Sequence, residues 1–139
     1  LDVPCSGLGV MGKKRDIKYR VTKKGLDEIE KLQRQIVAAS AGYVRKGGTL
    51  IYSTCTIRRE ENEDMVRFIS RELGFEPVSL EGIFPEAVLA GKKRLEEKMR
   101  EAGKDPGAGL TEEEACACIQ MLPGYMEADG FFIARFRRR

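Results

Sequence analysis

The chain has 139 residues, of which 42% are apolar and 34% are charged, and its formal net charge is +3. That length suffices for one domain with one hydrophobic core, and so small a charge does not by itself indicate a nucleic-acid partner. The sequence has no histidine, no long apolar span and no secretory signal, and its four cysteines lack the spacing of a zinc site. We therefore expect a cytoplasmic protein with reduced thiols and neither a bound metal nor a membrane span.

A glycine-rich segment near the start of the chain fits two nucleotide-binding patterns. Gly7, Gly9 and Gly12 have the spacing of a dinucleotide-binding loop, and Gly7 with Gly12-Lys13 nearly fits a phosphate-binding loop. Both patterns require a helix that begins at the glycines, and the second also requires Ser or Thr where this chain has Lys14. The residues that follow are charged and aperiodic. A basic, flexible loop is therefore the favoured interpretation, and nucleotide binding is the less favoured alternative.

A long amphipathic helix comes next. Thr22 can cap its N-terminus, and the helix is predicted to end at about Tyr43 or Arg45, before a turn at Gly47-Gly48. Apolar residues recur at every third or fourth position, which gives the helix one face that can pack on a sheet. These residues are Leu26, Ile29, Leu32, Ile36 and Val37.

Cys55 lies in the segment Ser53-Thr54-Cys55-Thr56, after a predicted strand over residues 49–52 and before a helix that starts near Glu60. Ligands bind at the carboxyl edge of an open α/β sheet, and the positive end of a helix dipole lowers the pKa of a nearby thiol. Cys55 is therefore a candidate nucleophile. For an isolated cysteine, a small buried structural residue would be the favoured alternative.

The remaining sequence predicts further helices and strands. The helix after Cys55 ends at Gly74, and a strand follows over residues 75–80. Residues 85–102 form a predicted helix, and residues 115–122 and 131–136 form two strands that pair as an antiparallel hairpin. This order indicates a layered α/β fold.

We expect residues 84–109 to be a variable insertion. Lysines and arginines alternate with glutamates along it, so a solvated helix or mobile loop is favoured over an RNA contact. Beyond it, Cys116 and Cys118 are predicted to lie on one face of a strand, and they lack the partner ligands that a metal site needs.

Two cysteine motifs give the chain a specific resemblance. Asp2-Val3-Pro4-Cys5-Ser6-Gly7 and Ser53-Thr54-Cys55-Thr56 resemble the paired loops of the Sun/Nop-type RNA (cytosine-5) methyltransferases. Val3 and Thr56 replace that family's usual Ala and Ser, and neither change removes a catalytic group. Three further stretches resemble family landmarks in family order: Asp16-Ile17-Lys18-Tyr19, Glu61-Asn62-Glu63-Asp64-Met65-Val66, and Leu122-Pro123 with Asp129-Gly130-Phe131-Phe132-Ile133-Ala134.

The resemblance implies a fold and a reaction. The fold would be the C-terminal half of a class I, Rossmann-like, S-adenosylmethionine-dependent methyltransferase sheet with an antiparallel terminal hairpin. Residues 1–139 would then be a partial methyltransferase domain whose methyl-donor-binding half lies outside this chain. We expect this part alone neither to bind S-adenosylmethionine tightly nor to methylate RNA. The implied partner is RNA, and ribosomal RNA is the family-level expectation.

The resemblance also implies roles for single residues. Cys55 would be the nucleophile that adds to carbon 6 of cytosine, so that carbon 5 can take a methyl group from S-adenosylmethionine. Cys5 would assist breakdown of the covalent adduct and product release, and Asp2 would contact the target base. Asp2 and Pro4 would also border the methyl donor. The basic residues that could hold RNA phosphates are Lys13, Lys14, Arg15 and Lys18.

Two other functions are compatible with parts of the pattern. A non-catalytic RNA-binding module would keep the sheet and the basic surface, but it would need neither Cys5 nor Cys55. A thiol hydrolase or phosphatase would use Cys55 with Arg58 or Arg59 nearby, but the chain has no histidine base and no glycine-rich phosphate cradle there. The methyltransferase interpretation further predicts that both cysteine loops open at one edge of one sheet.

Overall fold

A four-stranded sheet forms the centre of the computed structural model, which describes residues 1–107 and 109–139. Its last strand lies in the middle, pairing antiparallel with the first strand on one side and with the second and third on the other. The central strand alternates buried and half-exposed residues, so its apolar side chains enter the core. The strands are β1 (Thr49–Thr54), β2 (Phe75–Pro77), β3 (Cys118–Met121) and β4 (Phe131–Arg138).

Helices flank this sheet and complete an α/β fold. Thr22 caps the longest of them, because its hydroxyl oxygen accepts a hydrogen bond from the backbone N–H of Gly25 over 3.1 Å. The third helix continues into a wider π-helical turn over Phe68–Glu72. The helices are α1 (Ile17–Arg20), α2 (Lys23–Ala41), α3 (Glu63–Arg67), α4 (Glu86–Glu101) and α5 (Glu112–Cys116), with 3₁₀ turns at Leu8–Val10 and Arg59–Glu61. Within the described residues, no helix is both long and apolar enough to cross a membrane.

The core lies between the sheet and the two helices that follow the cysteine loops. Buried side chains of α2, α3 and the π-helical turn pack against those of the strands. Large residues that are almost completely buried include Tyr52, Met65, Ile69, Phe75, Phe132 and Phe136. The long helix packs one face on the sheet as predicted, but Leu32, which was assigned to that face, is exposed, and Gln33 is buried beside it. The helix ends at Ala41, two to four residues before the predicted end.

The first residues of the chain pair with β1 in parallel. The backbone N–H of Ser53 donates to the carbonyl of Leu1 over 2.9 Å, and the N–H of Val3 donates to the carbonyl of Ser53 over 3.2 Å. Parallel neighbours present their carboxyl ends at the same edge of a sheet. The loops that follow residue 3 and β1 therefore open together, which confirms the prediction made for them.

The four predicted strands differ in extent from those of the structure: β1 and β4 each run two residues further than predicted, and the other two are shorter. The strand predicted over residues 75–80 ends at Pro77. The N–H of Val78 still donates to the carbonyl of Arg135 in β4, but the N–H of Leu80 bonds the carbonyl of Cys116 instead. The strand predicted over residues 115–122 begins at Cys118, because a capping box between Thr111 and Glu114 makes the preceding residues helical.

The two cysteines of this region therefore do not share a face. Cys116 ends α5 and is exposed, whereas Cys118 lies in β3 and is buried. Burial raises the pKa of the Cys118 thiol to about 12, as expected for a structural cysteine. The helix predicted over residues 85–102 is confirmed as α4. One residue of the loop predicted to follow it, Ala108, lies outside the described residues.

A buried carboxylate joins α5 to the π-helical turn. Glu114 is 3% exposed and accepts hydrogen bonds from Ser70 (2.6 Å), from two guanidinium nitrogens of Arg71 (2.9 and 2.6 Å) and from the N–H of Thr111 (3.0 Å). Burial alone would raise its pKa, but the hydrogen bonds from Arg71, Ser70 and Thr111 outweigh burial and lower the pKa of Glu114 to about 2.

We predict that Glu114→Gln destabilises the fold at neutral pH and makes it less sensitive to acid. A carboxyl group with a depressed pKa stabilises the fold above its ordinary pKa of 4.5, and that contribution disappears as the pH falls towards 2. The expected loss is at most about 3 kcal/mol in the free energy of unfolding at pH 7. Denaturant titrations at pH 7, 4 and 2.5 measure it. Glu101→Gln, which breaks an exposed ion pair with Lys98, should change that free energy by less than about 0.5 kcal/mol.

Candidate active site

Two cysteines meet at one edge of the sheet. Cys5 lies in the loop that follows residue 3, called the first loop below, and Cys55 lies in the loop after β1. The sulfur atoms of Cys5 and Cys55 are 3.1 Å apart, and the backbone N–H of Cys55 donates to the sulfur of Cys5 over 3.3 Å. Their neighbours also pair, since the hydroxyls of Ser6 and Thr56 are 2.7 Å apart. The two loops were predicted only to open at one sheet edge, and the structure also brings their sulfurs together. Thr56 uses the hydroxyl that it shares with the family's usual Ser.

The two thiols are free and half-buried. Burial, and then the hydrogen bond with Cys55, raise the pKa of Cys5 to about 12. Cys5 therefore keeps its proton near neutral pH and can donate it in a hydrogen bond to the neighbouring sulfur. An uncharged thiol donor beside a second thiol is an arrangement that can stabilise negative charge on that second sulfur.

Asp2 and Pro4 lie on the strand and loop that lead to Cys5. Both are exposed, and the carboxylate of Asp2 accepts a hydrogen bond from the hydroxyl of Ser53 over 3.4 Å. The carbonyl of Pro4 accepts a hydrogen bond from the amide of Gln33 over 2.8 Å, which fixes the loop against α2. The structure thus brings Asp2 to the same sheet edge as the cysteines and leaves its carboxylate accessible.

Gly9, the second glycine of the first loop, allows close packing against the loop before β4. The N–H of Gly9 donates to the carbonyl of Cys55 over 3.0 Å, and its carbonyl accepts from the N–H of Gly130 over 2.9 Å. A Cβ atom on Gly9 would lie 2.1 Å from the carbonyl oxygen of Gly130, so no larger residue fits. A three-residue 3₁₀ turn follows Gly7, instead of the helix that the nucleotide-binding patterns require. Both nucleotide-binding alternatives are therefore rejected.

Basic side chains surround this edge of the sheet. Lys13, Lys14, Arg15 and Lys18 are all exposed. Lys13 forms a 2.6 Å ion pair with Asp129, which ties the basic loop to the loop between β3 and β4. The ammonium group of Lys18 lies 4.7 Å from the centre of the Tyr19 ring. Charge and an exposed aromatic ring therefore occur together beside the cysteines.

A cavity of about 280 Å³ adjoins the same site. It opens between the first loop and the start of α2, with apolar walls and a polar rim. Its lining includes Cys5, Ser6, Asp16, Ile17, Arg20 and Leu26. In the described part of the chain, no cluster of three or more His, Cys, Asp or Glu residues could hold a metal ion.

Three buried polar residues near the cysteines were not predicted as part of the site. Gln33, Glu61 and Asn62 have no exposed surface. Asn62 accepts a hydrogen bond from Thr54 over 2.6 Å and donates one to the carbonyl of Thr56 over 3.0 Å. Gln33 could have been found from the sequence, because it occupies a core position between the apolar residues of α2. The other two belong to the stretch Glu61-Asn62-Glu63-Asp64-Met65-Val66, which was interpreted as a family landmark with no role given to either residue.

Comparison with known proteins places this site in a family. A family described as "16S rRNA methyltransferase RsmB/F" matches residues 1–137. The chain is 40% identical to a probable ribosomal RNA small subunit methyltransferase B of Bacillus subtilis, covering 100% of this chain and 27% of that protein. It is 35% identical to ribosomal RNA small subunit methyltransferase F of Cronobacter sakazakii, covering 99% of this chain and 25% of that protein.

Solved structures give the same result for the fold. The crystal structure of NSun6 from Pyrococcus horikoshii with SFG matches with a TM-score of 0.69 and 30% identity, covering 99% of this chain and 29% of that one. A structure named PH0851 matches with a TM-score of 0.71 and 27% identity, covering 99% and 26%. The chain thus spans about a quarter of the length of the curated relatives it matches. The Rossmann-like fold implied by the resemblance is confirmed, and the chain belongs to the RsmB/F family of 16S rRNA methyltransferases.

Proposed function

We propose that this chain is the cysteine-bearing part of an S-adenosylmethionine-dependent RNA cytosine-5 methyltransferase that acts on 16S ribosomal RNA. One observation carries the proposal: the sulfurs of Cys5 and Cys55 lie 3.1 Å apart at the carboxyl edge of the sheet. RNA binding alone requires no thiol, whereas covalent activation of a pyrimidine requires one nucleophilic thiol and benefits from a second group that handles its release. Membership of the RsmB/F family supports the substrate class.

Cys55 is the nucleophile in this proposal. Its sulfur adds to carbon 6 of cytosine as the bond between carbons 5 and 6 loses its double-bond character, and this makes carbon 5 nucleophilic. After carbon 5 is methylated, loss of its proton restores the double bond and expels the sulfur of Cys55. The target base reaches the thiol only when it leaves its stack, as in other enzymes that modify bases.

Cys5 has a different role, which follows from its protonation. A pKa of about 12 keeps its thiol neutral near pH 7, and that thiol faces the sulfur of Cys55 across 3.1 Å. A hydrogen bond from Cys5 stabilises negative charge on the sulfur of Cys55, and this charge reappears when the covalent adduct breaks down. The geometry therefore supports assistance of product release as the role of Cys5.

Asp2 and Pro4 are suited to border the methyl donor and the target base. The accessible carboxylate of Asp2 can accept hydrogen bonds from an amino group at the same edge as the cysteines. When bound, S-adenosylmethionine supplies the sulfonium methyl group. NSun6 from Pyrococcus horikoshii was solved with SFG, an analogue of this donor, which supports the assignment of the donor.

The phosphatase alternative is not favoured by the surroundings of Cys55. Its nearest candidate for a phosphate-binding arginine, Arg58, already forms a 2.7 Å ion pair with Glu30 and further contacts with Glu60 and Glu61. Its guanidinium group is therefore engaged with carboxylates. The backbone N–H of Cys55 also points to the sulfur of Cys5 and not into an open anion cradle.

We predict that a mechanism-based trap depends on Cys55 alone. RNA with 5-fluorocytosine at the target should form a covalent complex with the full-length protein and S-adenosylmethionine, because fluorine cannot leave as a proton does. Cys55→Ala should abolish the complex and turnover. Cys5→Ala should still form the complex, with turnover reduced roughly 100-fold because release is slowed. Denaturing gels of radiolabelled RNA measure the complex.

Cys116→Ala is the matched control for this trap, because Cys116 is an exposed thiol outside the site. It should form the complex and turn over as the unaltered protein does. A complex that survives Cys55→Ala but is lost in Cys5→Ala would reverse the two roles. A complex that all three variants form equally would contradict the proposed mechanism.

We also predict that the basic loop binds RNA phosphates. Replacing both Lys14 and Lys18 with Ala should weaken RNA binding and lower the slope of log Kd against log salt concentration by about 2, since each lost phosphate contact removes about 1. Filter binding of RNA to the full-length protein, at salt concentrations between about 50 and 300 mM, measures this slope. Replacing Arg45 and Lys46, which are exposed at the opposite end of β1, should leave the slope unchanged. Equal effects of the two double variants would contradict a localised RNA surface.

A further inference from the structure

A buried carboxylate lies between the two cysteine loops. Glu61 has no exposed surface, and one of its oxygens accepts two hydrogen bonds of 2.9 Å, from the backbone N–H of Ser6 and from the side-chain amide of Gln33. Its other oxygen faces the hydroxyl of Thr56 at 3.5 Å and the guanidinium of Arg58 at 3.6 Å. Glu61 therefore contacts the residue directly after Cys5 and the residue directly after Cys55.

Helix α2 completes this linkage. The amide nitrogen of Gln33 donates both to Glu61 and to the carbonyl of Pro4, the residue directly before Cys5. The backbone on both sides of Cys5 is thus held by a single buried cluster. Burying a carboxylate lowers the stability of the fold unless the carboxylate accepts hydrogen bonds. Here the two short hydrogen bonds come from Ser6 and Gln33, which both hold the loop of Cys5.

The local backbone is built around this inward carboxylate. The carbonyl of Glu61 accepts a hydrogen bond from the hydroxyl of Tyr52 over 2.7 Å, in the core of the sheet. The next residue, Asn62, has φ −115° and ψ −85°, which breaks the helical path between the 3₁₀ turn and α3. Glu61 is thus the last residue of the 3₁₀ turn, directly before this break, with its backbone bonded to the core and its side chain between the cysteine loops.

We propose that Glu61 is a positioning residue: it holds the loops of Cys5 and Cys55 together so that the two sulfurs stay within hydrogen-bond distance. Its effect on methylation rests on the proposed function, but its effect on the approach of the two thiols does not. Loss of the carboxylate releases the N–H of Ser6 and the amide of Gln33 and leaves the hydroxyl of Thr56 with Ser6 as its side-chain partner. Displacement of a reacting group by about 1 Å can slow a reaction roughly 100-fold.

The chain offers two matched controls. Glu114 is also a buried carboxylate with several hydrogen bonds, but its partners are Ser70, Arg71 and Thr111, which lie on α5 and the π-helical turn. Glu114→Gln therefore reports a purely structural loss. Glu60 is exposed and shares Arg58 with Glu61, so Glu60→Ala reports the loss of an ion pair to that arginine.

The first test uses neither RNA nor methyl donor. The full-length protein is treated with diamide, which takes two electrons and two protons from a pair of thiols as their S–S bond forms, and the linked Cys5–Cys55 peptide is measured by mass spectrometry over time. Sulfurs 3.1 Å apart need little movement to reach bonding distance. Glu61→Ala should slow this linkage about tenfold or more, whereas Glu114→Gln and Glu60→Ala should not.

Glu61→Gln separates position from charge. Its amide oxygen can still accept from the N–H of Ser6 and from Gln33, so the linkage rate should stay within about threefold of the unaltered protein. Circular dichroism checks that each variant is folded. If Glu61→Ala does not fold, Gln33→Met removes the hydrogen bonds to Glu61 and Pro4 at similar volume and should also slow the linkage. Linkage at the unaltered rate in a folded Glu61→Ala variant would overturn the proposal.

Methylation kinetics give the second readout. Glu61→Ala should lower kcat by about 10- to 100-fold and leave KM for RNA within about twofold, with partial recovery in Glu61→Gln. A larger KM with unchanged kcat would overturn the positioning role. If the unaltered protein methylates no RNA but its thiol linkage depends on Glu61, the positioning role stands and the proposed function fails.

Discussion

The site depends on parallel pairing between the first three residues of the chain and β1. Two backbone hydrogen bonds, between Ser53 and the carbonyl of Leu1 and between Val3 and the carbonyl of Ser53, fix the register of that pair. A slip by one residue would move the first loop by about 3.3 Å and reverse the side to which each side chain points. Cys5 and Cys55, 50 residues apart in sequence, meet because this register places both at one sheet edge.

The rest of the sheet supports that edge from behind. β4 pairs with β1 along its length, and its buried residues Phe132 and Phe136 anchor the core on which α2 and α3 pack. The loop that leads into β4 returns to the site, where Gly130 touches Gly9 too closely for any side chain. Hydrogen bonds that Glu61 accepts from Ser6 and Thr56 then join the two loops to each other, and the one it accepts from Gln33 joins them to α2. The thiols are thus positioned by core packing, not by the loops alone.

The sequence predicted the order of the elements, since capping and periodicity are local properties, and the resemblance of the two motifs predicted that both cysteine loops open at one sheet edge. Thr22 marked the start of α2, and the two motifs resembled loops that follow neighbouring strands. The ends of the strands were harder to predict. The strand predicted to start at residue 115 starts at Cys118 instead, because a capping box at Thr111 makes the residues before it helical. Glu61 was missed because an acidic residue in a first turn satisfies the helix dipole equally well when it faces solvent. Only tertiary contacts distinguish the two orientations.

The central claim is that Cys55 bonds to the target base while Cys5 stays a protonated neighbour. The most direct measurement is mass-spectrometric location of the nucleotide adduct on the unaltered full-length protein after reaction with 5-fluorocytosine RNA and S-adenosylmethionine. We expect the adduct, with the added methyl group, on the peptide that contains Cys55. An adduct on the peptide that contains Cys5 would contradict it.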